Sequence, residues 1–180
     1  MKVTSLNTLQ LWALWTSIPL TKGYATLVDL ADVELVRQYR WHASVSVDGH
    51  RVYAETSVPQ GGGRYKRLKL HRLILGAQPN DRVDHRFGDT LDNRRFNLRF
   101  ATRSQNRVNC RGKSVGSSRF KGVNFDTESG KWRARIRVDG LTHYLGRFRE
   151  EVLAAQAYDN SARQHFGEFA TYNFPLHQTP

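Results

Sequence analysis

The chain is poor in the residues that staple, span or cage. It has one cysteine, Cys110, in 180 residues. A single thiol excludes an intramolecular disulfide and a cysteine-rich zinc cluster, so a reduced compartment and no structural zinc are expected. Cys110 reads as a packing residue and not as a nucleophile. No apolar run is long enough to cross a bilayer. The nearest, Leu9 to Leu20 (LQLWALWTSIPL), is interrupted by Gln10, Thr16 and Ser17. Lys2 precedes it, but no small-residue cleavage site follows. It is expected to be weakly structured, a helical turn leaning on the body with Trp12 and Trp15 packed, in a cytoplasmic protein with no membrane partner. Acidic residues are also scarce, 16 against 28 Lys plus Arg, for a net charge of +12. A surface that basic gathers polyanions, nucleic acid before others. The apolar content, 39%, is that of a folded chain, and the length suits one ordinary domain or two small ones.

Taken in order, Pro19 argues against a central strand near it, while Tyr24 to Val28 fits a short strand. The spacing of Leu30, Val33, Leu35 and Val36 predicts a helix from about Leu30 to Tyr39. In Trp41 to Glu55, alternating residues flank Asp48-Gly49, a two-residue hairpin signal. PQGGGR, from Pro59, is a loop tip. Tyr65 to Leu75 reads either as a strand delivering His71 to a groove or as a short helix over HRLILG capped by Gly76. Arg82 to Arg86 is one strand of a hairpin, and Thr102 or Ser104 caps a helix from Arg103 to Asn109. Arg111 to Ser118, rich in Gly and Ser, reads as a linker.

Beyond it, Phe120 to Asn124, Lys131 to Val138 and Leu141 to Phe148 are expected as three strands, the last two joined at Asp139-Gly140. Glu150 to Phe166 is expected as a helix burying Val152, Ala155, Tyr158, Ala162 and Phe166, stopped by Gly167. Arg133, Arg135 and Arg137 alternate with Ala134, Ile136 and Val138, so the arginines share one strand face and the apolar residues the other. The patterns around the two Asp-Gly pairs differ, so they do not mark a repeat.

The stretch VDHRFGDTLDNRRFNLRFATRSQN concentrates the chemistry. Asp84 beside His85, with Asn97 and Asn106 following, supplies the groups that metal-assisted phosphodiester hydrolysis needs. A carboxylate and an amide oxygen suit a hard cation, and an imidazole can take a proton from water.

These residues, with HRLILG before them, closely resemble the HNH nucleases of phage and intron homing type, over about Ile18 to Asn109. The resemblance implies a ββα-metal nuclease domain with Asp84 as metal ligand, His85 as general base and Asn106 as second metal ligand. Asn97 is implied to brace the motif's loop and help orient the histidine, and His71 matches a histidine to which no role is assigned. It also implies Mg²⁺, or another divalent cation such as Mn²⁺, and products with 5′-phosphate and 3′-hydroxyl ends. Phe100 stands where a tryptophan is common, and Arg86-Phe87 replaces a more usual small or aliphatic pair.

From Ser117 to Pro175 the chain resembles the Apetala-type, ethylene-response-factor DNA-binding domain. The marks are Phe120-Lys121-Gly122-Val123, Trp132-Arg133-Ala134, Tyr144-Leu145-Gly146, Ala157-Tyr158-Asp159 and Asn173-Phe174. That family lays a three-stranded sheet in the major groove. By resemblance Lys121, Asn124, Thr142, Tyr144 and Arg147 join Arg133, Arg135 and Arg137 on the DNA-binding surface.

The expectation is therefore an α+β chain: an N-terminal extension over 1–17, an HNH nuclease domain over 18–110, a linker over 111–118, a DNA-binding domain over 119–175 and a tail over 176–180. The function expected is metal-dependent nicking of double-stranded DNA by a monomer or weak dimer, in a bacterial or phage-infected host cytoplasm. The rival reading is a DNA-binding regulator with an inactive HNH module. RNA is disfavoured because its A-form major groove is deep and narrow.

Overall fold

The structure, a computed structural model, describes residues 14–47, 49–109 and 116–175. Asp48, Cys110, Lys2, Trp12, most of the 111–118 linker and the 176–180 tail lie outside the described residues. The chain is a mixture of helices and small antiparallel sheets, and it divides into two compact units, Met1–Phe100 and Ala101–Pro180.

The first unit opens on β1 (Trp15–Pro19), antiparallel to β2 (Ala25–Asp29). The described part of the Leu9–Leu20 run is thus a strand and not a helical turn. Its Thr16 and Ser17 cost nothing on a two-stranded ribbon, where one face meets water, and Pro19 sits at its end. Trp15 is 53% exposed and is no packing residue of the core. A 3₁₀ turn and the helix α1 (Val33–Arg37) follow.

A sheet of β3 (His42–Val45), β4 (Val52–Pro59) and β5 (Tyr65–Lys69) comes next, with β4 central. The β3–β4 ladder ends where the Ser46 N–H donates to the Arg51 carbonyl, so the turn is wider than the two residues expected. β5 ends at Lys69 and runs directly into α2 (Leu70–Ile74), so the short-helix reading holds and His71 is delivered by the helix and not by the strand. Val28, Val36, Trp41, Ala54, Leu70, Ile74 and Leu98 form the core, and the Trp41 indole N–H donates to the Val36 carbonyl. The unit closes with β6 (Val83–His85) antiparallel to β7 (Leu98–Phe100), Asp84 opposite Arg99.

The second unit begins with α3 (Arg103–Asn109). Its start is a reciprocal capping box. The Thr102 hydroxyl accepts from the Gln105 N–H, and the Gln105 side chain accepts from the Thr102 N–H. Val108 packs with Ile136, Tyr158, Ala162 and Phe166.

The sheet is β8 (Val123–Asp126), β9 (Lys131–Val138) and β10 (Leu141–Phe148), with β9 in the middle. Asp139 and Gly140 both take positive φ, 47° and 88°, which makes the tight turn between β9 and β10. α4 (Glu151–Phe166) lies behind, ending at Gly167. It buries Ala154, Ala155, Tyr158, Ala162 and Phe166. Val152 is 39% exposed, so the helix turns a slightly different face inward than the sequence suggested. β8 starts later than expected because Gly122 takes φ +77° under the Tyr158 ring, which breaks the extended run there. Among the described residues no helix is long and apolar enough to cross a membrane.

Candidate functional site

In the first unit, His85 ends β6 as a buried side chain, 5% exposed. Its ring is held by a chain of directed hydrogen bonds. The Thr26 hydroxyl spends its proton on the Leu91 carbonyl at 2.7 Å. The Thr26 oxygen then accepts from the Asn93 amide nitrogen at 2.7 Å, which turns the Asn93 carbonyl oxygen toward His85 Nε2 at 3.3 Å. An oxygen can only accept there, so Nε2 carries the proton and the ring's lone pair lies on Nδ1. The backbone of β2 fixes the far end, since Leu27 bonds to Leu91 and Asn93 in both directions. Asn93 was legible only as a turn former in Asp-Asn-Arg-Arg. Its bond to the His85 ring was not legible in the sequence, because its other partner, Thr26, is distant in the chain.

Asn97 is fully buried and braces the same loop. Its amide oxygen accepts from the Phe87 N–H at 2.9 Å, its amide nitrogen donates to the Asp92 carbonyl at 2.7 Å, and its own carbonyl takes the Arg86 N–H. Asn97 therefore acts on the loop backbone, and Asn93 is the amide bonded to the His85 ring. Arg95 ties the loop to the body through Asp32 and, by its N–H, Asp29.

His71 of α2 meets His85 edge-on, ring centroids 4.9 Å apart, with Tyr53 near both rings. Burial, then repulsion from a protonated His85 and from the charges of Lys69 and Arg72, push the His71 pKa down to about 2. Burial also lowers His85, against the Asn93 bond and the nearby carboxylates of Asp84, Asp89 and Asp92. Both rings are thus neutral at ordinary pH, which an imidazole needs in order to accept a proton.

Asp84 is buried opposite Arg99, whose Nε donates to Asp84 Oδ2 at 3.0 Å. An ionised carboxylate has two oxygens and about four lone-pair sites, so this contact does not exhaust it. Among the described residues no group of three or more His, Cys, Asp or Glu stands ready to cage a metal. A cation here would take oxygen from Asp84 with amide, water and phosphate oxygens, a donor set that suits Mg²⁺ and not zinc. Asn106 is half-buried on α3, in the second unit.

The buried histidines carry a pH prediction. The unfolded chain protonates His71 below about 6.5, whereas the folded ring stays neutral to about 2. Below 6.5 the unfolded state binds more protons, so stability falls as pH drops, by at most about 1.4 kcal/mol per pH unit for each such group. Urea unfolding between pH 7.5 and 5.5 should show this loss, with a shallower slope for His71→Gln. An equal slope in that variant would remove His71 as its source.

In the second unit, strand register sorts the sheet. Asn124, Arg133 and Arg147 fall opposite one another across the three strands, Arg135 faces Tyr144, and Arg137 faces Thr142. Antiparallel partners share a face, so all seven residues lie on one surface. Ala134 and Ile136 point the other way and are buried against α4. Arg135, Arg137, Thr142 and Tyr144 are exposed. Arg147 donates to Asp126 Oδ2 at 2.8 Å, which holds that carboxyl below its ordinary range. Lys121 stands apart from this face: its ammonium donates to the Val108 carbonyl at the end of α3.

No protein-family model matches the chain. An uncharacterized HNH endonuclease of Acanthamoeba polyphaga mimivirus is 34% identical over 158 residues, covering 84% of this chain and 76% of that protein. The chain belongs to the HNH endonuclease family. This HNH protein also matches plant proteins over a shorter segment. APETALA2-like protein 2 of Oryza sativa subsp. indica is 39% identical over 66 residues, 37% of this chain but 15% of its own length. An AP2-like ethylene-responsive transcription factor of Arabidopsis thaliana is 42% identical over 69 residues, 12% of its length. This HNH protein therefore carries a segment similar to Apetala-type DNA-binding domains, as the second-unit motifs suggested.

Proposed function

We propose that the chain is a metal-dependent DNA endonuclease of homing type that nicks duplex DNA near a site gripped by its C-terminal sheet. The observation that carries the reading is the Leu91–Thr26–Asn93–His85 chain, which fixes a buried, neutral imidazole with its lone pair on Nδ1. A bound divalent cation would neutralise charge on the scissile phosphate and on the leaving 3′-oxygen. Asp84 would offer it a carboxylate oxygen. By its place in the motif Asn106 is proposed as the second ligand, as the HNH resemblance implies. His85 Nδ1 takes the proton of the attacking water as its oxygen bonds to phosphorus and the bond to the 3′-oxygen breaks; the leaving 3′-oxygen takes a proton from solvent water, which leaves 5′-phosphate and 3′-hydroxyl ends. Asn97 keeps the loop from shifting, and His71 packs against the base's ring.

In the second unit Arg135 and Tyr144, exposed side by side, are proposed to read base edges, flanked by Asn124, Arg133, Arg137, Thr142 and Arg147. Lys121 is assigned to this surface by resemblance, although its ammonium caps α3. Arg135→Ala is expected to weaken duplex binding about tenfold and to relax sequence preference, which a binding titration against a randomised duplex pool would show.

The Asp84–Arg99 pair favours the alternative of an inactive module, because it neutralises the carboxylate. Plasmid relaxation separates the two. The nuclease converts supercoiled DNA to open circles with Mg²⁺ and not with EDTA. A retired module binds the plasmid and leaves it supercoiled under both conditions.

A further inference from the structure

The loop that positions His85 and the start of β1 together carry a row of open aromatic rings. Phe87 is 61% exposed, Phe96 54% and Trp15 53%. They are not scattered. Phe87 and Phe96 lie 5.8 Å apart by centroid, and the Arg94 guanidinium stands 4.6 Å over Phe96 and 5.4 Å over Trp15. Each end is pinned. Asp92 clamps Arg94 through two bonds, Nε at 2.8 Å and Nη2 at 2.7 Å, and Asn97 accepts the Phe87 N–H. The row Trp15–Arg94–Phe96–Phe87 thus runs in solvent from β1 onto the loop that brackets His85, with the Arg94 guanidinium held between two of its rings.

A single exposed ring needs no explanation, but three gathered around one clamped arginine do. The row lies outside the core, and the clamp on Arg94 lowers the entropy cost of ordering it on a partner. The partner it fits has flat π faces and negative charge. Arg86 lies exposed beside Phe87, and the whole chain is strongly basic. Phe87 stands two residues after His85 on the same loop, which keeps a base stacked on it within a few residues' reach of the proposed general base.

We infer that Phe87 and Phe96 form an apolar wedge that stacks on a base at an opened step of the duplex, beside the scissile phosphate. The inference rests on the reading of the first unit as a DNA nuclease. Side chains of this kind unstack one step and kink the helix, and the opened base regains on the rings part of the stacking it lost. A duplex already weakened at one step spares the protein that cost, so it should bind more tightly.

The test is equilibrium binding in EDTA, where no cutting occurs, to two duplexes of one sequence, one perfect and one with a single-nucleotide bulge. Any grip on intact sequence cancels in the ratio. The full chain should prefer the bulged duplex about tenfold, the scale of one base–aromatic stack. Phe87→Ala with Phe96→Ala should erase the preference with little change on the perfect duplex, and Phe87→Tyr with Phe96→Tyr should keep it. Both rings are exposed, so unchanged melting temperatures will show the variants folded. No preference in the full chain, or one that survives the alanine pair, overturns the wedge. If the preference holds and follows the rings while no duplex is ever cut, the wedge stands and the nuclease reading fails.

Discussion

His85→Ala is expected to lower Mg²⁺-dependent strand cleavage by about 10³-fold, within the range for loss of a general base, while duplex affinity changes little. The affinity is expected to hold because the arginine face of the second unit supplies most of the electrostatic grip. The rate is expected to fall because no second imidazole can replace the first. His71 is the nearest ring, but burial and surrounding positive charge hold its pKa down to about 2, too low to retain a proton taken from water. Fold should survive, since truncation leaves Asn93 bonded to Thr26 and the loop bonded to Asn97. Single-turnover cleavage with saturating protein isolates the chemical step. A variant that cuts within a few-fold of the parent would remove His85 from the mechanism.

Gly122→Ala is the other substitution with a large expected effect, and it acts on the second unit. A methyl group there would stand 2.0 Å from Tyr158 Cδ2 and 2.7 Å from the Arg135 carbonyl oxygen. Neither neighbour is the loose end of a flexible chain. Tyr158 is 3% exposed in the core, and the carbonyl belongs to the central strand. The backbone at φ +77° adds strain for any residue with a Cβ. Together these place the loss at about 4 kcal/mol or more, a size reserved for such packing faults. Denaturant unfolding followed by the near-ultraviolet signal of Trp132 would measure it. A loss under about 1 kcal/mol would mean that Tyr158 can move aside at little cost, contrary to the packing described.

Legibility in the sequence followed the range of the interactions. The Asp139-Gly140 turn, the Arg133–Val138 alternation and the helix ending at Gly167 depend on neighbours in the chain, and each stands as the pattern suggested. β1 was missed because its strand character comes from pairing with β2, whereas its own residues read as an irregular apolar run. The start of β8 was misplaced because Gly122 answers to Tyr158, across the domain. In the first unit Asp84, His85 and Asn97 were visible as residue types at a spacing. What holds the ring was not visible, since Asn93 and Thr26 meet only when β2 folds against the loop. His71 was conspicuous but had no role until α2 set its ring against His85.

The central proposal is that water is activated at Nδ1 of His85, beside the Asp84 carboxylate proposed to hold a cation. Sequencing the ends left on a genomic DNA library after incubation with the full chain and Mg²⁺ tests it most directly. The account predicts breaks with 5′-phosphate and 3′-hydroxyl ends, clustered at recurring sites and abolished by EDTA. DNA that stays intact while bound to the protein, in Mg²⁺ and in Mn²⁺ alike, would contradict it.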